Sequence, residues 1–324
     1  MLDTRDFMRD RPEMDPLTQL ITLLRPRALL WKHRDVIDQR AMRYPANDGA
    51  VFFVVARGQC QFQIAGRAPR LLHAGDFLLM IAPPVWTLGS SETAPAADDA
   101  AGRAKHPLPT IAAEQASPKP GVTRLLGGHF VFDSDNSAIL RQLLPSIVML
   151  SGDATAARLR RVLGLIEDEA LADRPGRTLI LERLLEIMLV EAIRHDGGCV
   201  TEGSRGLLAG LGDPAIAAAL RALHADIRKT WTVAKLAACA GMSRSVFAER
   251  FDEIVGLSPI DYLRQWRMML AKEALRAGRE PLVEIAEACG YQSVSAFSAA
   301  FSRTVGCPPS HYAASRQPSA LEPH

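Results

Sequence analysis

No stretch of this 324-residue chain approaches the ~20 consecutive apolar residues that a membrane-spanning helix needs. The N-terminus, MLDTRDFMRDRPEMD, also lacks the apolar core of a secretory signal and mixes acids with bases instead. Both absences point to the cytoplasm and to no membrane partner. Cysteine is scarce: there are five, an odd number and widely spaced, which reads as reduced thiols rather than a disulfide framework. Neither CxxC nor HxH occurs, so no zinc signature is present. What remains is ordinary globular composition, 48% hydrophobic and 23% charged, on a chain long enough for two or more cores. The net charge of +2 hides an asymmetry, because residues 1–215 carry net −1 and residues 216–317 carry net +4. A basic C-terminal part permits contact with nucleic acid.

That C-terminal part contains one pattern written twice. VAKLAACAGMSRSVFAERFDEIVGLSPIDY runs from Val233 to Tyr262, and LVEIAEACGYQSVSAFSAAFSRTVGCPPSHY from Leu282 to Tyr312. Leu236, Ala237 and Gly241 recur 49 residues later as Ile285, Ala286 and Gly290. Phe247, Phe251, Gly256, Pro259 and Tyr262 recur 50 residues later as Phe297, Phe301, Gly306, Pro309 and Tyr312. The extra residue, Gln292, falls just past the second glycine, in a turn where an insertion costs little. Cys239 and Cys289 occupy matching places and are expected to be small buried thiols rather than a metal pair.

Ahead of the repeats the chain changes character several times. LTQLITLLRP, after Pro16, reads as a short helix ended by Pro26. Strands are expected at 28–33, 50–56, 59–65, 76–81 and 122–132, separated by Gly and Pro turns, which suggests a small barrel or sandwich. Residues 89–121, rich in Ala, Pro and Ser, read as a long mobile loop. A short helix at 140–144 is followed by two amphipathic segments, 155–172 and 179–193, whose spacing predicts a helical hairpin. Their apolar stripes either bury each other or form a subunit contact; the spacing fits both. Residues 196–213 hold six glycines and read as a linker.

From Asp213 the pattern is helical. Asp213, Thr232, Ser243 and Ser258 are placed to cap helices, and Gly241, Gly256, Gly290 and Gly306 to end them. Each repeat then reads as helix, glycine turn, helix, with small Ala237 and Ala286 where the pair crosses: a helix-turn-helix. Phe247, Phe251, Phe297 and Phe301 point inward as core, and Trp231, Trp266, Tyr262 and His224 read as structural. The helix joining the units, 259–277, would be about 28 Å long at ~1.5 Å per residue, close to the ~34 Å turn of B-form DNA. Two second helices so held can enter successive major-groove segments.

WTVAKLAACAGMSRSVFAERF, DYLRQWRMMLAKEAL and IAEACGYQSVSAFSAAFSRTVGCPPSHY resemble the AraC/XylS family of bacterial transcription regulators over residues 214–315. The resemblance makes the second helix of each unit the recognition helix. It implies readers or grips at Arg244, Ser245, Ala248, Glu249 and Arg250 in the first. In the second it implies Ser293, Val294, Ser295, Ser298, Ala299 and Arg303. Serines suit bases or phosphates, Glu249 a cytosine amine and Val294 a thymine methyl. Arg228, Lys229, Lys235 and Arg264 are further phosphate candidates. The second unit departs from the family habit of arginine or glutamine on this face, so grip and DNA shape are expected to outweigh base reading there.

LLHAGDFLLMIAPPVWTL resembles the cupin-type sensor found in one branch of the same family. His33, His73 and His129 are too scattered for a metal triad, so no metal and no cofactor are expected. Phe53, Phe62, Phe77, Met80 and Trp86 are the candidate lining of an effector cavity, or else ordinary barrel core.

The expected fold is multidomain α+β. A cupin-like β-barrel spans 16–135, a helical hairpin 136–195 and a linker 196–213. An all-α DNA-binding domain spans 214–315, with helix-turn-helix units at 232–255 and 281–305. The expected function is a non-enzymatic, sequence-specific transcription regulator, an effector-responsive activator by family habit. Its implied partners are promoter DNA, a small-molecule effector, RNA polymerase and a second copy through 155–194, with the nucleoid its place when bound to DNA. The alternatives are a cupin-type enzyme fused to a nucleic-acid-binding domain, and a regulator whose N-terminal half only binds proteins.

Overall fold

A computed structural model describes residues 15–36, 42–89, 123–132, 143–151, 157–172, 174–196 and 205–314. They fall into two units, one within Pro26–Glu202 and the other joining the segment up to Arg25 with the chain from Gly203 onward.

The first unit is built on two antiparallel sheets. Strands β1 (Arg27–Val36), β3 (Ala50–Arg57), β6 (Phe77–Ile81), β8 (Thr123–Val131) and β9 (Ile147–Leu150) form one, in the order β1-β8-β3-β6-β9. Strands β2 (Met42–Tyr44), β4 (Gln59–Ile64), β5 (Arg70–His73) and β7 (Trp86–Gly89) form the other, in the order β2-β7-β4-β5. QCQFQI alternates because only one face of β4 is covered, and Cys60, Phe62 and Ile64 point inward. FLLMI is buried at every position because both faces of β6 are covered. The core between the sheets holds Val51, Phe53, Phe62, Leu78, Met80 and Trp86 among others.

Four of these strands, β2, β5, β7 and β9, were not expected from sequence. β2, β5 and β7 are three or four residues long, too short for alternation to register. β9 falls inside 136–195, expected as purely helical. Its register, Phe77 opposite Leu150 and Met80 opposite Ile147, makes it the edge of the larger sheet. The expected loop at 89–121 lies outside the described residues except at Gly89, which ends β7 rather than opening a loop, and most of the expected helix at 140–144 also lies outside them.

The hairpin is present as α2 (Ala157–Leu171) and α3 (Arg177–Asp196), turning at Gly176, whose φ is +84°. Leu159, Val162, Leu163 and Ile166 of α2 are buried, as are Leu185, Met188, Leu189 and Ala192 of α3. Arg177 donates to the Ala170 carbonyl at 2.7 Å and Arg158 pairs with Glu191 at 3.2 Å, closing the two ends.

The second unit is all helical: α1 (Pro16–Leu24), α4 (Leu207–Gly212), α5 (Pro214–Ala225), α6 (Val233–Cys239), α7 (Arg244–Val255), α8 (Pro259–Ala277), α9 (Leu282–Ala288), α10 (Val294–Val305) and α11 (Pro309–Ala314). Two boundaries differ from expectation. α1 belongs with this unit rather than with the strands that follow it. Its Leu17, Leu20, Leu23 and Leu24 are buried, and Arg25 bonds to Glu273 of α8. Gln19 Oε1 can only accept, so it takes the Nδ1 proton of His224 at 3.0 Å, and His224 Nε2 accepts from the Tyr262 hydroxyl at 2.7 Å. The end of the expected linker is also a helix, α4. A Cβ at Gly210 would stand 2.9 Å from Leu220 and 3.1 Å from Val255, so the glycine there permits close packing on the neighbouring helices.

Candidate nucleic-acid interface

The two helix-turn-helix units, α6–α7 and α9–α10, are built alike down to single hydrogen bonds. Ser243 caps α7 by accepting from the Val246 amide at 3.5 Å, and Ser293 caps α10 by accepting from the Ala296 amide at 3.2 Å. Each cap hydroxyl meets a second serine two residues on, Ser245 at 3.4 Å and Ser295 at 3.1 Å. Gly241 and Gly290 take φ of +67° and +74° in the turns, the left-handed region that favours glycine.

Paired aromatics set which face of each second helix is hidden. Phe247 and Phe251 lie 5.6 Å apart by ring centroid, with Tyr262 5.8 Å beyond. Phe297 and Phe301 lie 5.7 Å apart, with Tyr312 at 5.5 Å. Because these residues face the core, Arg244, Ser245 and Glu249 of α7 are exposed and Ala248 is half-buried. On α10, Ser295 and Ala299 are exposed and Val294 and Ser298 half-buried. Three exposed residues were missed from sequence: Val246, Ala296 and Gln292. Val246 was hidden by its own chemistry, since a lone valine reads as core. Its place one before Phe247 is the signal that would have found it.

The expected phosphate grips divide into two sets. Arg250 donates from Nε to Asp213 at 3.0 Å, so its charge is already engaged in the fold. Arg264 pairs with Asp261 at 2.6 Å, Arg228 lies 3.9 Å from Asp226, and Lys235 donates to the Thr230 carbonyl at 2.7 Å. Lys229 sits over the Trp231 ring at 4.5 Å. Arg244 and Arg303 are exposed, and their side chains make no hydrogen bond or ion pair among the described residues. Asp213 also accepts from the Ala215 and Ile216 amides at the start of α5. Burial raises its pKa, but those amides and Arg250 together outweigh burial and hold the carboxyl below its usual range.

Cys239 and Cys289 do not share a fate. Cys289 is buried and its thiol donates to the Arg267 carbonyl at 3.5 Å, whereas Cys239 is exposed. Helix α8 covers the second turn, and the described contacts give the first turn no equivalent cover.

In the β unit, Phe53, Phe62, Met80 and Trp86 share one packed interior. Phe53 and Phe62 lie 6.2 Å apart, Trp86 is 6.1 Å from Phe62, and Tyr44 stacks on Trp86 at 4.0 Å. Phe77 does not join them. It sits opposite Val54 while Met80 sits opposite Val51, and the period of two sends it to the other face of the sheet. His129, opposite Val51, is pushed down in pKa by burial. Cys60 is pushed up to about 12 by burial and then by Asp76. No group of three or more His, Cys, Asp or Glu is arranged to hold a metal among the described residues, and no helix there is long and apolar enough to cross a membrane.

Residues 15–196 match a family model described as Cupin, and residues 236–315 one described as Helix-turn-helix domain. A putative AraC-like transcription regulator of Streptomyces lividans is 38% identical over 310 residues, covering 92% of this chain and 98% of its own length. A second, from Streptomyces antibioticus, is 35% identical over 304 residues, covering 92% and 98%. The HTH-type transcriptional regulator AlkR of Acinetobacter baylyi is 36% identical over 176 residues, 53% of this chain and 57% of its own length.

Proposed function

The chain belongs to the AraC-like transcription regulators, and from that premise we propose that it grips promoter or operator DNA with α7 and α10 and activates transcription in response to an effector. The observation that carries the DNA-binding part is the matched pair of capped, aromatic-backed helices at either end of the 19-residue α8. At ~1.5 Å per residue that helix spans about 28 Å, near one turn of duplex. Ser245 and Glu249 are the base readers, with Ala248 small enough for close approach. Ser293, Val294, Ser295, Ser298 and Ala299 offer hydroxyls and small apolar surface, so α10 holds more than it reads. Arg244 and Arg303 take phosphates. Arg250 serves first as the clamp on Asp213 and grips phosphate only if that pair opens.

Activation is the direction the family resemblance implies, with RNA polymerase as its partner, in the cytoplasm. Effector input would shift the population of DNA-competent arrangements. One observation favours a second reading of the N-terminal half. The interior rings of Tyr44, Phe53, Phe62 and Trp86 pack on one another, which suits input by a contacting protein better than by an enclosed small molecule.

The test is a fluorescent duplex taken from upstream of the gene and its neighbours. Binding is expected to weaken steeply with salt as counterions are released. Ser245→Ala with Glu249→Ala should change sequence preference, and Arg303→Ala should weaken all duplexes alike. No binding to any fragment at low salt would sink the proposal.

A further inference from the structure

We propose that Arg267 fixes the separation and angle of the two reading units, and so makes the spacing between their half-sites part of what the protein recognises. This rests on the reading of both units as DNA readers.

Two distant parts of the chain converge on this one side chain, at the middle of α8. Its Nε donates to the Ile227 carbonyl at 3.1 Å, and Nη2 to the same oxygen at 2.7 Å. Nη2 also donates to the Lys229 carbonyl at 3.1 Å. Both carbonyls lie in the segment that leads into the first unit. On its other side the guanidinium faces the ring of Tyr291, 5.7 Å from the centroid, in the turn of the second unit. Cys289, two residues earlier, donates back to the carbonyl of Arg267 itself. The second unit's turn also meets that segment directly, since a Cβ on Gly290 would stand 2.7 Å from the Arg228 carbonyl and 2.5 Å from Arg267 Nη2.

The junction is not a requirement of the helix-turn-helix itself. In the first unit the matching glycine, Gly241, has nothing within 4 Å of its would-be Cβ. That turn forms with no arginine against it. The cation is costly where it is: burial depresses its pKa, and its bonded acceptors are neutral carbonyls. What those contacts supply is geometry. A planar fork bound to two carbonyls of the segment leading into one unit, and lying on an aromatic ring of the other unit, resists both rotation and sliding, which a lysine cannot do. One base pair moves a half-site by about 3.4 Å along the duplex, so a rigid junction penalises any change of spacing.

The experiment begins with duplexes selected by the wild-type protein from a random-sequence pool. One base pair is then inserted or removed between the two contacted segments. Wild type is expected to lose about tenfold or more in affinity on either change, the cost of one mismatched contact. Arg267→Met and Arg267→Lys are expected to bind the original duplex less tightly and to lose less than about threefold on respacing. A variant that melts cooperatively and keeps the wild-type spacing penalty overturns the inference. If Arg267→Met does not fold, Arg267→Lys, which keeps the charge without the fork, decides in the same assay. Wild type failing to select any duplex overturns instead the DNA-reading premise, and this inference with it.

Discussion

Gly241 and Gly290 hold the same place in the repeat, yet a methyl group added to each meets different surroundings. At Gly241 it meets only an unfavourable backbone, so Gly241→Ala is expected to cost about 1–2 kcal/mol in urea unfolding. At Gly290 the same strain is joined by the Arg228 carbonyl, backbone that cannot swing aside, so Gly290→Ala should cost clearly more. Equal costs would mean that the second unit's turn does not touch the segment leading into the first. The turn was legible in sequence because glycine spacing repeats; the carbonyl was not, because it approaches from 62 residues away. The same limit hid the difference between Cys239 and Cys289, and the pairing of Arg250 with Asp213. That pairing carries a pH signature. Asp213 is depressed in the folded state, so its contribution is full above the unfolded carboxylate pKa of ~3.9 and is lost as pH falls through the lower folded value. Asp213→Ala removes the cap as well and should cost about 0.5–2 kcal/mol at pH 7. Its deficit against wild type should narrow when both are melted near pH 3, and a deficit that stays constant would refute the sign.

Among elements, α1 departs most from what its position in the chain suggests. Its boundaries follow from sequence: Asp15 caps it, accepting from the Leu17 amide at 3.0 Å, and Pro26 follows its end. Its destination does not, because four leucines at helical spacing say only that some surface covers them. That surface is the helical unit, reached through Gln19 to His224 and Arg25 to Glu273, contacts some 200 residues apart in sequence. The helix therefore contributes to the stability of the DNA-binding unit although it precedes the first strand of the other. Leu20 is fully buried, so Leu20→Ala should destabilise by about 2–5 kcal/mol. The loss should appear in the melting of the helical unit, followed by the fluorescence of Trp231 and Trp266. If only the unit holding Trp86 melted earlier, α1 would have been placed on the wrong partner. The short strands and α4 were missed for a related reason. Each is shorter than the window over which periodicity can be read, and β9 and α4 exist because a long-range neighbour completes them.

At the scale of the whole molecule, the hairpin left two readings open in sequence, stripes that bury each other or stripes that meet a second copy. Its structure gives room for both. The inner faces of α2 and α3 close on each other, while Leu165, Leu171, Leu179, Ile180 and Ile187 remain 44–70% exposed. Five of the eleven exposed large hydrophobic residues among those described therefore lie on this one element. Leu165, Leu171 and Ile180 line a groove together with Asp168, Glu169 and Arg174. Apolar surface rimmed by both signs of charge is self-complementary, since a two-fold axis can set the arginine of one copy against the acids of the other. A dimer formed there would carry four reading helices and would favour paired sites over single ones by effective concentration. Ile180→Glu buries a charge in such an interface but leaves the DNA-binding unit untouched. Wild type at micromolar concentration should sediment as a dimer and the variant as a monomer. The variant should keep its affinity for a single selected site and lose the gain, of about a hundredfold, that pairing two sites brings. A wild-type monomer, or a variant that still gains from paired sites, would remove the hairpin from the assembly and leave each chain to act through its own two readers.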